Sequence, residues 1–126
     1  MTLVEPPKIL VVDDETAIRN LLIDLLGDEG YTVFAASNGR AALAIVQQQR
    51  PDLILMDVMM PELDGLETLR HIRALPDTRD VPIILMSAAH HLSPDTSDTV
   101  AFISKPFNLD HVLAVVARML ASMDHS

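Results

Sequence analysis

The apolar positions of this chain fall into short blocks separated by stretches of a different period. Ile9-Leu10-Val11-Val12, Leu53-Ile54-Leu55-Met56 and Ile83-Ile84-Leu85-Met86 are continuous rather than alternating. Runs of about four residues, apolar on both faces, suit the central strands of a parallel sheet covered on both sides. Thr32 to Ala36 and Val100 to Ser104 are more mixed and suit edge strands. Between the blocks the period lengthens to that of a helix. Ile18, Leu21, Leu22, Leu25 and Leu26 make one apolar face, and Asp28 and Gly30 mark its end. Asn38-Gly39 predicts a turn, followed by Ala42, Leu43, Ile45 and Val46 on a second helix. Gly65 precedes Leu66, Leu69 and Ile72 on a third. Leu109, Val112, Leu113, Val116, Leu120 and Met123 make the last, with Asn108 as its expected N-cap.

Strands alternating with helices predict an α/β domain, a single doubly wound five-stranded parallel sheet with crossover helices. The connection between the fourth and fifth strands is the weak unit. Only 13 residues, Ser87 to Thr99, separate Met86 from Val100, and a crossover with its helix needs about 10–12. Ser93-Pro94 can start a helix, but Asp95, Thr96, Ser97, Asp98 and Thr99 are poor helix formers without an apolar stripe. The fourth helix is therefore expected to be shortened or disordered. The last helix, whose charges are mainly Asp110 and Arg118, is then expected to leave apolar surface for a partner.

Composition narrows the class. At 126 residues, 49% hydrophobic and 21% charged, the chain suits one globular domain with a real core. Residues 8–123 are expected to form it, with 1–7 as an N-terminal extension and 124–126 as a tail. The absence of cysteine excludes disulfides, thiolate metal sites and thiol nucleophiles. A formal charge of −9 argues against direct nucleic-acid binding. No apolar run approaches the ~20 residues of a membrane span. The acidic, Pro-interrupted start is not a signal peptide, so no membrane association and a cytoplasmic location are expected.

In an open parallel sheet, chemistry sits beyond the carboxyl ends of the strands, where the strand order reverses. Asp13 and Asp14 follow the first strand, Asp57 the third, Ser87 the fourth, and Lys105-Pro106 the fifth. In the order 2-1-3-4-5, strands one and three are neighbours and the acids meet. A single such Asp could be an ordinary turn former, but three together repel and call for a cation. Hard oxygen ligands without imidazole or thiolate suggest Mg²⁺, which favours a phosphate co-ligand. Lys105 adds a positive charge and Ser87 a hydroxyl, a set suited to a phosphoryl group in transit. The simplest nucleophile is one of the carboxylates, giving an acyl phosphate.

These residues in this order resemble the receiver domain of two-component response regulators, similar to the free-standing chemotaxis receiver. The matching pieces are Asp13-Asp14 after a Val-Val strand end, Asp57-Val58-Met59-Met60-Pro61 with Gly65 following, Ser87-Ala88, and Lys105-Pro106-Phe107. The resemblance runs from Lys8 to about Met123 and implies a flavodoxin-like fold. It implies Asp57 as phosphoacceptor, taking phosphate from a histidine kinase or phosphotransfer protein. Asp13, Asp14, Asp57 and the backbone carbonyl of Met59 would hold Mg²⁺. Ser87 and Lys105 would bind the phosphoryl oxygens, and Phe102 would be the switch aromatic that turns when Ser87 moves. Pro61, Gly65 and Pro106 would shape the loops, with Lys105-Pro106 in cis. Output would pass to a downstream protein target or a homodimer, and enzymatic activity would be limited to self-phosphotransfer and autodephosphorylation.

Other readings compete. His90-His91 are adjacent rather than spaced like Zn ligands and suit a solvated loop; Met59-Met60 suits packing, and Glu62 and Asp64 suit solvent. A haloacid-dehalogenase-type aspartyl-phosphate phosphatase needs an acid two residues after its nucleophile, where this chain has Met59. A flavin carrier needs a phosphate loop where Asp13-Asp14 would repel the phosphate. A receiver fragment of a larger DNA-binding regulator stays open.

Overall fold

The computed structural model describes residues 5–88 and 99–123. The expected fourth helix, His90-His91 and the 124–126 tail lie outside the described residues, as do residues 1–4 of the expected extension. Five parallel strands form one sheet: β1 (Lys8–Val12), β2 (Thr32–Ala36), β3 (Leu53–Asp57), β4 (Ile83–Ser87) and β5 (Val100–Ser104). Their order is β2-β1-β3-β4-β5, the flavodoxin-like arrangement. Helices α1 (Thr16–Asp28), α2 (Gly39–Gln49), α3 (Gly65–Ala74) and α4 (Leu109–Met123) accompany them, with a short 3₁₀ turn at Pro76–Thr78.

The continuous apolar strands follow from burial on both faces. Ile9, Val11, Leu53, Leu55, Ile84 and Met86 pack with Leu22 and Leu26 of α1 and Val112, Val115, Val116 and Met119 of α4. The alternate positions Leu10, Val12, Ile54, Met56, Ile83 and Leu85 pack with Ala42 and Val46 of α2 and Ile72 of α3. Strand period two thus sends neighbouring side chains into two separate cores. The mixed strands β2 and β5 occupy the edges, where one flank lacks a partner.

Local chemistry sets the helix ends. Gly30, at φ 94°, takes the left-handed conformation that closes α1. Asn38 does not sit in a turn apart from the second helix: it is its N-cap, accepting from Ala41 N at 2.8 Å, and Gly39 is already helical. Asn108 accepts from Asp110 N at 2.8 Å and from His111 N at 3.3 Å, as expected of the residue before α4. On α4 the apolar side chains of Leu109, Leu113 and Leu120 are partly exposed. Among the described residues only Leu21 and Met59 are large hydrophobics with high exposure, because Leu113 and Leu120 lean onto the core. Among the described residues no helix is long and apolar enough to cross a membrane.

Candidate functional site

The ladder bonds run past the strand ends and carry the loops with them. Asp13 N donates to Ala36 O, Val58 N to Met86 O, and Lys105 N to Ser87 O, at 3.2, 2.9 and 2.8 Å. Three loops are thereby fixed side by side at one rim. Asp13, Asp14 and Asp57 bring a carboxylate oxygen each within 4.8 Å of one another. Asp13 and Asp57 are buried and Asp14 is exposed. The Lys105 ammonium stands 3.2 Å from Asp13 Oδ2 and 3.5 Å from Asp57 Oδ1. The Lys105-Pro106 bond is cis, as the resemblance implied.

Asp13 is held at every polar atom. Beyond its N–H bond, its carbonyl accepts from the Arg19 guanidinium at 2.8 Å, its Oδ1 from Glu15 N at 2.9 Å, and its Oδ2 from Lys105. Asp57 Oδ1 also accepts from Met59 N at 3.3 Å. Burial pushes the Asp57 carboxyl above its ordinary value; Lys105 opposes this and Asp13 reinforces it. For Lys105, burial favours the neutral amine, but Asp13 and Asp57 outweigh it and the ammonium is held above its ordinary value.

Gly65 opens α3 directly beneath the acceptor loop. A Cβ there would lie 2.5 Å from Asp57 O and 2.8 Å from Val58 Cα, so only glycine permits this approach. Gly65 N closes the loop onto Val58 O at 2.9 Å. Pro61 is exposed in that loop and Glu62 adopts φ 65°. Ser87 is buried at the end of β4. Phe102 is half-buried and packs on the α2/α3 side. Leu85 pairs with Phe102 and Ser87 with Ser104, so alternation puts Ser87 and Phe102 on one sheet face, two positions apart.

Some residues take other places than the sequence suggested. Met60 is packed, but Met59 is 65% exposed, since its backbone is turned toward Asp57. Glu62 is exposed as expected, 3.9 Å from Arg40. Asp64 is not merely solvated: it caps α3, accepting from Glu67 N at 2.9 Å. The Asp64…Glu67 spacing is a cap signal the sequence did carry. Glu15, whose N–H donates to the Asp13 carboxylate, and Arg19, which donates to the Asp13 carbonyl, were missed, because bonds between a side chain and the backbone leave no periodic trace.

The donor set fits a small hard cation: three carboxylates, no imidazole or sulfur, and space shared with one ammonium. Such a pocket of mixed charge can bind a cation and a phosphoryl group together.

The family model of the response regulator receiver domain matches residues 9–117. The response regulator MprA of Mycolicibacterium vanbaalenii is 40% identical over 119 residues, 91% of this chain and 51% of that protein. The chain spans about half the length of that relative. Sporulation initiation phosphotransferase F of Bacillus subtilis is 36% identical over 117 residues, 90% of this chain and 93% of that one. Among solved structures, the chemotaxis protein CheY4 of Vibrio cholerae superposes with a TM-score of 0.82 at 32% identity, covering 90% of this chain and 98% of that one. The response regulator TrrA of Thermotoga maritima, solved in complex with Mg²⁺ and BeF, gives 0.79 at 37% identity, covering 90% and 98%.

Proposed function

The chain belongs to the response regulator receiver domain family, phosphorylation switches of two-component systems, and on that premise we propose that Asp57 is its phosphoacceptor. The observation that carries the reading is the meeting of Asp13, Asp14 and Asp57, with the Lys105 ammonium paired to Asp13 and Asp57. Receiver domains interact with histidine kinases or phosphotransfer proteins, and the donor here is a phosphohistidine of such a protein. An Asp57 oxygen attacks phosphorus, the P–N bond breaks, and its electron pair leaves with the imidazole. Asp13, Asp14, Asp57 and the Met59 carbonyl would hold Mg²⁺, which supplies charge neutralisation for the transferring group when bound. Lys105 binds a phosphoryl oxygen opposite the acids, and Ser87 donates its hydroxyl to another.

The switch reading rests on the shared face of Ser87 and Phe102. When Ser87 moves toward a new dianion at Asp57, the space it vacates admits the Phe102 ring. The chemistry is limited to taking up and losing the domain's own phosphoryl group. Output passes through protein contacts, either of this domain or of a larger regulator of which it is the receiver; the chain matches relatives of both kinds, MprA over half its length and the phosphotransferase over nearly all of its own. A cytoplasmic setting fits both.

Acetyl phosphate with Mg²⁺ should add one phosphoryl group by intact mass, and Asp57→Asn should reduce this below detection while keeping the fold. A phosphate mapped to another residue refutes the assignment. Undiminished labelling in excess EDTA refutes the metal requirement.

A further inference from the structure

Glu15 stands at the mouth of the acceptor site without a structural duty that explains its charge. It is the N-cap residue of α1, yet its side chain makes no cap bond. A carboxylate at this position is well placed to meet the positive end of its own helix. Here it turns instead to the Lys105 ammonium, 4.0 Å away, with 64% of its side chain exposed. Lys105 is already engaged by Asp13 and Asp57 at shorter distances. An exposed pair at that range adds little to stability. What Glu15 does contribute is a negative charge beside the cation that contacts the Asp13 and Asp57 carboxylates.

We propose that Glu15 is a specificity-determining residue that disfavours small, highly charged phosphodonors at Asp57. The inference rests on Asp57 being the acceptor. Lys105 stands 3.5 Å from Asp57 Oδ1, and the largely exposed Glu15 carboxylate lies 4.0 Å from the same ammonium. Its field weakens the attraction of Lys105 for an anion before contact, and the cost grows with the donor's charge. A free dianion meets the full penalty. A donor that carries a compensating positive charge on its leaving group meets less of it.

Two small donors separate this effect from a general one. Acetyl phosphate is a dianion at neutral pH; its P–O bond breaks and acetate leaves with the electron pair. Phosphoramidate carries its proton on nitrogen and a net single negative charge; its P–N bond breaks and ammonia leaves with the pair. Both leave the same acyl phosphate on Asp57. An open groove of about 500 Å³ runs from the Lys105 that Glu15 approaches, between Ile18 and Leu21 of α1 and Pro106, Phe107 and Leu109. Lys105 also lines it, and its other walls are uncharged.

The test compares wild type, Glu15→Gln and Glu15→Lys by intact-mass kinetics with Mg²⁺ and each donor, at low and high salt. The rate ratio of acetyl phosphate to phosphoramidate should rise roughly two- to fivefold in Glu15→Gln and further in Glu15→Lys, and the gain should shrink at high salt. An unchanged ratio in both variants, with Asp57 still labelled, overturns this inference alone. Equal acceleration of both donors also overturns it, since that is a repositioned Lys105. Calorimetric titration of Mg²⁺ into the unphosphorylated proteins supplies a separate readout. Affinity should fall no more than about threefold in Glu15→Gln; a loss of tenfold or more would make Glu15 a metal ligand and overturn the proposal. Failure of both donors to label wild type would overturn the acceptor assignment and this inference with it.

Discussion

The two ends of the sheet use the same residue types to opposite effect. At the amino ends of the strands, Lys8, Asp52, Arg50, Asp77 and Arg73 find structural partners. Lys8 N donates to Asp52 Oδ2 at 2.7 Å and Lys8 Nζ to Gln49 O at 3.2 Å. Arg73 forks between Thr78 O and Thr99 O, at 3.3 and 3.1 Å, tying α3 to the start of β5. Arg50 stands 3.3 Å from Asp77. At the carboxyl ends, three carboxylates cluster, one ammonium pairs with two of them, and one of those, Asp57, is buried against its ionisation. The first end is arranged for stability; the second stores a charge imbalance that a cation and a phosphoryl group can relieve. The difference is one of pairing, not of composition.

That contrast can be broken most forcefully at Gly65. Gly65→Ala forces a methyl against the Asp57 and Val58 backbone and should cost roughly 2–4 kcal/mol, measured by urea unfolding. A loss under 0.5 kcal/mol would show slack in the rim that the geometry denies.

Arg73→Met probes the opposite end. It keeps much of the side-chain volume but removes both charged donors, so that Thr78 O keeps the Val81 N–H and Thr99 O the Ile83 N–H. It should cost about 1–3 kcal/mol while leaving the rate of Asp57 labelling within about twofold. A tenfold loss of labelling at unchanged stability would erase the division between the ends.

The imbalance at the rim has a pH signature. A carboxyl whose folded pKa is raised destabilises the fold in its ionised form, so stability falls as pH rises through the folded value and the penalty persists above it. Metal-free Asp57→Asn should therefore melt roughly 2–6 °C above wild type at neutral pH. The gain should disappear as pH falls below the ordinary Asp range, where both states are protonated. Lys105 works in the other direction: its contribution is present below the ordinary Lys value and is lost as pH rises through its folded value, outside this window. Equal melting temperatures at neutral pH would place no stored imbalance at Asp57. The smallest effect is expected from Asp77→Ala, which removes a partner from an exposed pair and should change stability by less than about 0.5 kcal/mol.

Much of this architecture was legible from patterning. The three continuous blocks became most of β1, β3 and β4, and the two mixed blocks became the edges, because burial leaves a direct mark on hydrophobicity. The rim acids and Lys105 were legible because each ends a strand. What escaped was contact between a side chain and a distant backbone. Arg19 reaching Asp13 O, and Arg73 reaching Thr99 O across 26 residues, depend on how the helices lie on the sheet. Met59 escaped for a related reason: its exposure follows from its backbone N–H facing Asp57, which side-chain type does not encode.

The Lys105–Asp13 contact joins residues 92 positions apart, and this separation bears on the order of events during synthesis. The first four strands can emerge and collapse while the acids of β1 and β3 still lack their ammonium. Native placement of the chemistry waits for the last strand to add to an exposed edge, a non-local step of the slow kind. A ribosome-bound chain that ends before Lys105 would present a nearly complete sheet with an uncompensated acidic rim. Competence to receive a phosphoryl group is therefore acquired late and abruptly, and a partly made chain is silent to its donor.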